Sequence, residues 1–288
     1  MSGGMSILAL LLVAAMSTTR QAGTAKSADG VPIHYEAEGS GEPALVFVHG
    51  WAIDGGYWVA QVPVFARTHR VVTLDLAGHG RSGRGRKDWT VAAFGQDVCA
   101  VVAASGLKKV VLIGHSMSGN VILEAARAMP GRVVGLIPVD TLLDVDQVTS
   151  DAEIEGALAA FRSDFKKAAG GFMRQYMFTP TTDPKLVEAV VKDATSFPPE
   201  IGVPALEQVW RHDPRPLLAE IHVPIVAVNA DKFPTRTDHA RRYAPQFDAL
   251  IVKGVGHYLM REDPAGFNAQ LTRAVARVTG AADPGEHP

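Results

Sequence analysis

The chain has 288 residues, enough for one large domain or two small ones, and for a sizeable core without disulfides or metals. Hydrophobic residues make up 47% and charged residues 20%; 28 Lys and Arg against 30 Asp and Glu leave a net charge of −2. That balance argues against nucleic-acid or anionic-lipid partners, and the single cysteine, Cys99, excludes an internal disulfide framework and a cysteine-based zinc site.

The first feature in chain order is Ile7 to Met16, ILALLLVAAM, an apolar run too short to span a bilayer and of the length of a secretory h-region. Small residues follow it, but no Lys or Arg precedes it; the first basic residue is Arg20. Residues 1–21 are read as a signal peptide or N-terminal anchor, which implies export to the periplasm or medium, with a cytoplasmic location as the alternative. No stable membrane span is expected after processing.

Beyond residue 21 the period alternates. Asp29-Gly30 is a hairpin turn signal between a short polar strand (22–28) and Val31 to Tyr35. Unbroken apolar runs follow at Ala44 to Val48, Arg70 to Leu74, Lys109 to Ile113, Val133 to Val139, Pro224 to Val228 and Ala249 to Val252. Such runs suit strands buried on both faces of a parallel sheet. Helical spacing is found over Gly56 to Arg67, Thr90 to Ser105, Ser116 to Met129 and Pro264 to Val278. Strands alternating with helices predict an α/β fold with a doubly wound, mostly parallel sheet.

One stretch breaks the rhythm. Residues 141–222 carry no strand pattern; they contain helix-like segments at Asp151 to Ala169, Gly171 to Met177, Asp183 to Ser196 and Val203 to Arg211, separated by prolines. Its many large apolar residues suit an inserted helical cap between two halves of a core, 22–140 and 223–280. Residues 281–288 read as a frayed tail.

The chemistry concentrates at VVLIGHSMSG, a strand running through Gly114-His115-Ser116-Met117-Ser118-Gly119 into a helix. Small residues around a serine at such a junction let the backbone take the strained turn that lifts the hydroxyl above the sheet edge. A serine needs a base, and His257 lies on the glycine-rich loop after the last strand. The imidazole needs a carboxylate. Asp231, three residues past the strand ending at Val228, is the favoured acid and gives the order Ser116, Asp231, His257; Asp140, ending the preceding strand, is the rival. Backbone amides of Trp51 and Met117 are the expected donors to a developing oxyanion. Phe172, Met173, Phe178 and Phe233 are expected to wall an apolar pocket, together with Trp51 and Met117. No metal-binding or phosphate-cradling motif is found, so neither metal nor cofactor is expected.

These residues together resemble the α/β-hydrolase family in its capped, single-domain form. The resemblance covers about Asp29 to Thr279 and is carried by His49-Gly50-Trp51, Asp75-Leu76-Ala77-Gly78-His79-Gly80-Arg81-Ser82, the Ser116 elbow, Asn229-Ala230-Asp231 and Gly256-His257 with Glu262-x-Pro264 and Phe267-Asn268. It implies loop-building roles for Asp75, His79 and Arg81. Two positions depart from the family pattern, Ser118 and Asn229, where many relatives have glycine. Serine at the elbow, in place of the aspartate of epoxide hydrolases and haloalkane dehalogenases, implies acyl transfer to Ser116 and hydrolysis of a small or medium apolar ester. Lactonase, carbon–carbon hydrolase and perhydrolase activities, or slow-turnover ligand binding, are the alternatives on the same residues.

Overall fold

A computed structural model describes residues 20–285. The leader expectation for residues 1–21 falls almost wholly outside them. Among the described residues no helix is long and apolar enough to cross a membrane.

The elements run β1 (Gln21–Lys26), β2 (Pro32–Glu38), β3 (Ala44–Val48), a 3₁₀ turn (Gly55–Trp58), α1 (Val62–Phe65), β4 (Val71–Leu74), α2 (Val91–Ala104), β5 (Val110–His115), α3 (Ser118–Ala128) and β6 (Val133–Val139). After them come α4 (Asp151–Ser163), α5 (Phe165–Tyr176), α6 (Pro184–Ser196), α7 (Pro199–Arg211), α8 (Arg215–Glu220), β7 (Ile225–Ala230), α9 (Thr237–Ala240), β8 (Phe247–Val252), α10 (Leu259–Glu262) and α11 (Pro264–Thr279). The strands form one sheet in the order β1-β2-β4-β3-β5-β6-β7-β8. The β1–β2 and β2–β4 pairings are antiparallel and all the others parallel. The hairpin between β1 and β2 turns through Gly30, whose φ of 89° suits a residue without a Cβ.

Two glycines show how both faces are covered. A Cβ on Gly114 of β5 would press on Ser118 and Ile122 of α3, and one on Gly135 of β6 would press on Val278 of α11. Gly135 is in register with Val111. Side chains alternate along a strand, so Val111 and Gly114 point to opposite faces. Helices α3 and α11 therefore lie on opposite sides of the sheet. β3 and β5 are buried along their whole length, as their unbroken apolar runs require.

Helices α4 to α8 fill the interval between β6 and β7 that reads as a cap in the sequence. The expected single helix from Asp151 to Ala169 is two. Asp164 has φ −146° and its carboxylate accepts the Lys167 amide proton, so it ends α4 and caps α5, which then runs on through Gly171. Pro204 does not start a new helix: α7 begins at Pro199 and carries Pro204 inside it. The expected helix from Gly56 to Arg67 is only the 3₁₀ turn and α1.

The described part of the tail is not frayed. Gly280 takes the left-handed conformation, the Ala281 amide bonds back to Ala276, and Asp283 accepts from Arg273 and Arg277. Cys99 is half-buried with its Sγ 3.9 Å from the Ala125 carbonyl, and burial pushes its thiol pKa up to about 11.

Candidate active site

Among the described residues, four other than glycine have positive φ: Ala52 (58°), Ser116 (54°), Asp140 (47°) and Leu142 (54°). All four lie on loops leaving the carboxyl ends of β3, β5 and β6, where strain of this kind marks a site held in shape by its surroundings.

Ser116 sits between β5 and α3. Its amide bonds to Val139 O at 2.9 Å, and its carbonyl accepts from Gly119 N at 2.9 Å. The small residues around it are sterically required. A Cβ on Gly114 would lie 2.3 Å from Ser118 O, and one on Gly119 would lie 2.3 Å from the Thr141 side chain. Ser118 replaces the family's glycine with a purpose: its hydroxyl donates to His49 O at 2.5 Å, tying the start of α3 to the end of β3. Gly50 closes in from that strand; a Cβ there would meet His115 Nδ1 at 2.8 Å and Ser116 Cβ at 3.2 Å. The amides of Trp51 and Met117 have no backbone acceptor among the described residues.

The histidine is held by an acid other than the favoured one. His257 Nδ1 is 2.6 Å from Asp140 Oδ2. Asp140 is 7% exposed; its amide bonds to Val228 O, and its other oxygen accepts from Ala230 N at 2.8 Å. Asp231 is exposed and its Oδ1 accepts from Gly254 N at 2.8 Å, so it fastens the loop behind the histidine. The assignment of Asp231 as the imidazole's partner is corrected to Asp140. The reason lies in strand order: β6 is next to β5, so its end is one strand nearer the serine than the end of β7. Asn229 serves the same turn. Its amide group accepts from Thr141 N and donates to Thr141 O, both at 3.3 Å, and donates to Thr235 Oγ1 at 3.0 Å.

The loop carrying His257 is fastened through its amides and the His257 carbonyl. The His257 amide donates to Met177 O at 2.7 Å, and its carbonyl accepts from His115 Nε2 at 2.9 Å. Glu262 accepts from the amides on either side, Gly256 N at 3.0 Å and Tyr258 N at 3.2 Å, and from Thr182 Oγ1 at 2.6 Å. In the sequence Glu262 stands in a motif with no assigned role; a carboxylate six residues after Gly256 of the glycine-rich loop is the signal that marks it.

Three other histidines are buried and neutral. Leu76 N donates to His49 Nε2, so its Nδ1 carries the proton and donates to Gly50 O at 2.7 Å. Burial pushes the His79 and His115 pKa values well down, with the neighbouring His49 and His257 respectively adding to the effect. Asp75 fills the loop role expected of it, accepting from Gly55 N and Arg81 N at 2.9 Å each.

Ser116 and His257 both open onto a cavity of about 110 Å³. Among the described residues no hydrogen bond yet joins their side chains, a contact that in unliganded sites commonly tightens only around substrate. Of the predicted walls, Trp51, Met117, Phe172 and Met173 line the cavity, joined by Met177, Leu206, Val209 and Trp210. Phe178 does not: it is buried behind the site, stacked on Tyr258 at 5.8 Å. Phe233 does not either; it is 45% exposed, beside Lys232. Trp51 also ties the loop after β3 to α7, its Nε1 donating to Gly202 O at 2.9 Å.

Away from this site Asp144, Asp146 and His239 come within ligand distance of one another, but each is already paired. His239 bonds Asp144 at 2.7 Å, and Asp146 accepts from Arg242 and Tyr243.

The strand order, the strained serine after β5 and the histidine after β8 define an α/β-hydrolase architecture. A family profile described as the Alpha/beta hydrolase family matches residues 45–270, and the chain belongs to that family. Among curated proteins it is similar to the dihydrolipoyllysine-residue acetyltransferase component of the acetoin cleaving system of Pseudomonas putida. The two are 28% identical over 248 residues, 82% of this chain and 64% of that protein. It is 33% identical over 158 residues to the non-heme chloroperoxidase of Streptomyces lividans, covering 54% of this chain and 56% of that one. The chain thus spans less than two thirds of the length of these two relatives. Among solved structures, a thermophilic esterase from Thermogutta terrifontis superimposes with a TM-score of 0.77 at 22% identity. The match covers 90% of this chain and 99% of that one, which establishes a shared fold.

Proposed function

We propose that the protein is a serine hydrolase that cleaves small or medium apolar esters through an acyl-enzyme. Ser116 is the nucleophile, His257 the base and Asp140 the acid that orients it. The observation that carries this reading is the 2.6 Å contact between His257 Nδ1 and Asp140, with Ser116 and His257 opening on one cavity. Asp140 holds the proton on Nδ1 and leaves Nε2 free to take the Ser116 proton. Ser116 Oγ attacks the ester carbonyl, and the Trp51 and Met117 amides receive the charge on its oxygen. Collapse breaks the bond to the alkoxide, which leaves with the proton from Nε2. Water then gives a proton to Nε2 and its hydroxide to the acyl carbon, releasing the acid and restoring Ser116.

Hydrogen peroxide in place of water would yield a peracid from the same acyl-enzyme, a second reading favoured by the similarity to a non-heme chloroperoxidase.

The test is a p-nitrophenyl ester series from acetate to decanoate on wild type and Ser116→Ala. The expected result is a burst and steady turnover in the wild type and a loss of at least about 10³-fold in the variant. Equal rates in both would overturn the reading. Adding peroxide and a halide reads the second activity from the same samples.

A further inference from the structure

The cavity at Ser116 is too small for most of the substrates just proposed. At about 110 Å³ it holds about four water-sized groups, well below the roughly 300 Å³ at which ligand pockets begin. A second depression, about 1120 Å³, opens on the outer side of the cap between α4 and α5. The two meet at shared lining residues. Phe172 and Trp210 line both, are half-buried, and meet edge to face with ring centres 6.1 Å apart. Each presents one side to the reacting centre and the other to the groove.

The apolar part of the groove's lining is Ile154, Ala157, Ala160, Phe161 and Ala168, and Glu153, Asp164, Lys167 and Gln175 are among its polar residues. Tyr176, 44% exposed, continues the aromatic row from Phe172 at a ring distance of 5.4 Å. An apolar lining that adjoins the internal cavity at two aromatic rings suits an extended apolar chain whose end reaches the serine.

We propose that the groove between α4 and α5 is the second half of the substrate site. It takes the long arm of an ester with an acyl chain of more than about four carbons, which parts the edge-to-face contact of Phe172 and Trp210 to reach the groove, while the carbonyl sits at Ser116. This rests on the esterase reading and narrows it, from small or medium esters to those with an extended acyl chain.

The experiment fills the groove from positions where a large side chain has room. Gly171 lines the groove, is exposed, and has nothing within 4 Å of an added Cβ. Ala157, also exposed, lines it from the other helix. Gly156 is equally open on α4 but lies outside the groove and serves as the control. The quantity read is the ratio of kcat/KM for p-nitrophenyl decanoate over acetate. Gly171→Trp and Ala157→Trp are each expected to lower this ratio at least about tenfold, mainly through KM, while Gly156→Trp leaves it at the wild-type value. A ratio unchanged in both groove variants overturns the proposal. If the wild type turns over neither ester, the esterase reading fails on its own, and the groove is judged by calorimetry with decanoate. Binding lost in Gly171→Trp and kept in Gly156→Trp supports the groove; equal binding in all three proteins, or none in the wild type, overturns it.

Discussion

The carboxyl edge of the sheet and the cap are built in different ways. At the edge, position is set by backbone: residues forced to positive φ, glycines with no room for a Cβ, and buried side chains that bond to amides and carbonyls. In the cap, the helices pack over a cluster of aromatic rings and carry exposed ion pairs such as Arg174–Glu188, Arg162–Glu207 and Arg211–Asp151 on their surface. The first construction tolerates no displacement of the reacting groups. The second rests on packing volume and exposed pairs, so single exchanges that keep the volume are expected to cost less there.

That contrast can be tested by damage on each side. The largest effect is expected at Gly114. Gly114→Ala would put a methyl 2.3 Å from the Ser118 carbonyl, a backbone atom that cannot swing away. A loss of about 1–3 kcal/mol in urea unfolding is expected, with turnover reduced in the protein that remains folded. Wild-type stability and turnover would mean that the elbow is softer than described.

The next effect comes from the buried histidines. Burial lowers the His79 and His115 pKa values below the unfolded reference of about 6.5, so the unfolded chain binds more protons in that range. Stability from these groups is complete above about pH 6.5 and is lost as pH falls below it, at up to about 1.4 kcal/mol per pH unit for each histidine. Urea midpoints at pH 7.5 and 5.5 measure this. His79→Asn is expected to reduce the slope, and an unchanged slope would remove His79 from the explanation.

The smallest effect is expected in the cap. Arg174 and Glu188 are both largely exposed, and pairs of that kind contribute little in water. Arg174→Ala should move the melting temperature by less than about 2 °C and leave acetate turnover unchanged. A larger loss would show the cap to be held by its ion pairs rather than by its aromatic cluster.

The sequence made the sheet legible because five-residue apolar runs such as Ala44 to Val48 have few other uses, and β3 is buried throughout. It made Ser116 legible because glycine and serine crowd around it, and His257 because Gly254 and Gly256 precede it after the last strand. The acid was not legible in the same way. Asp140 and Asp231 both follow strands, and only the third dimension shows that β6 borders β5 and that the Asp231 carboxylate is engaged by Gly254. Asn229 stood out only as a missing glycine; its bonds to Thr141 show that it braces the turn beside Asp140. The cap walls were legible in kind and not in place. Phe172 and Phe178 are both aromatic residues of the same segment, yet one faces the cavity and the other backs Tyr258.

The central claim is that Asp140, and not Asp231, partners the histidine. Asp140→Asn and Asp231→Asn, assayed side by side on p-nitrophenyl butyrate with their folding checked by circular dichroism, test it most directly. The account predicts a fall in kcat of about 10²–10⁴-fold for Asp140→Asn and no more than a few-fold for Asp231→Asn. Loss of activity in Asp231→Asn with near-normal turnover in Asp140→Asn would contradict it.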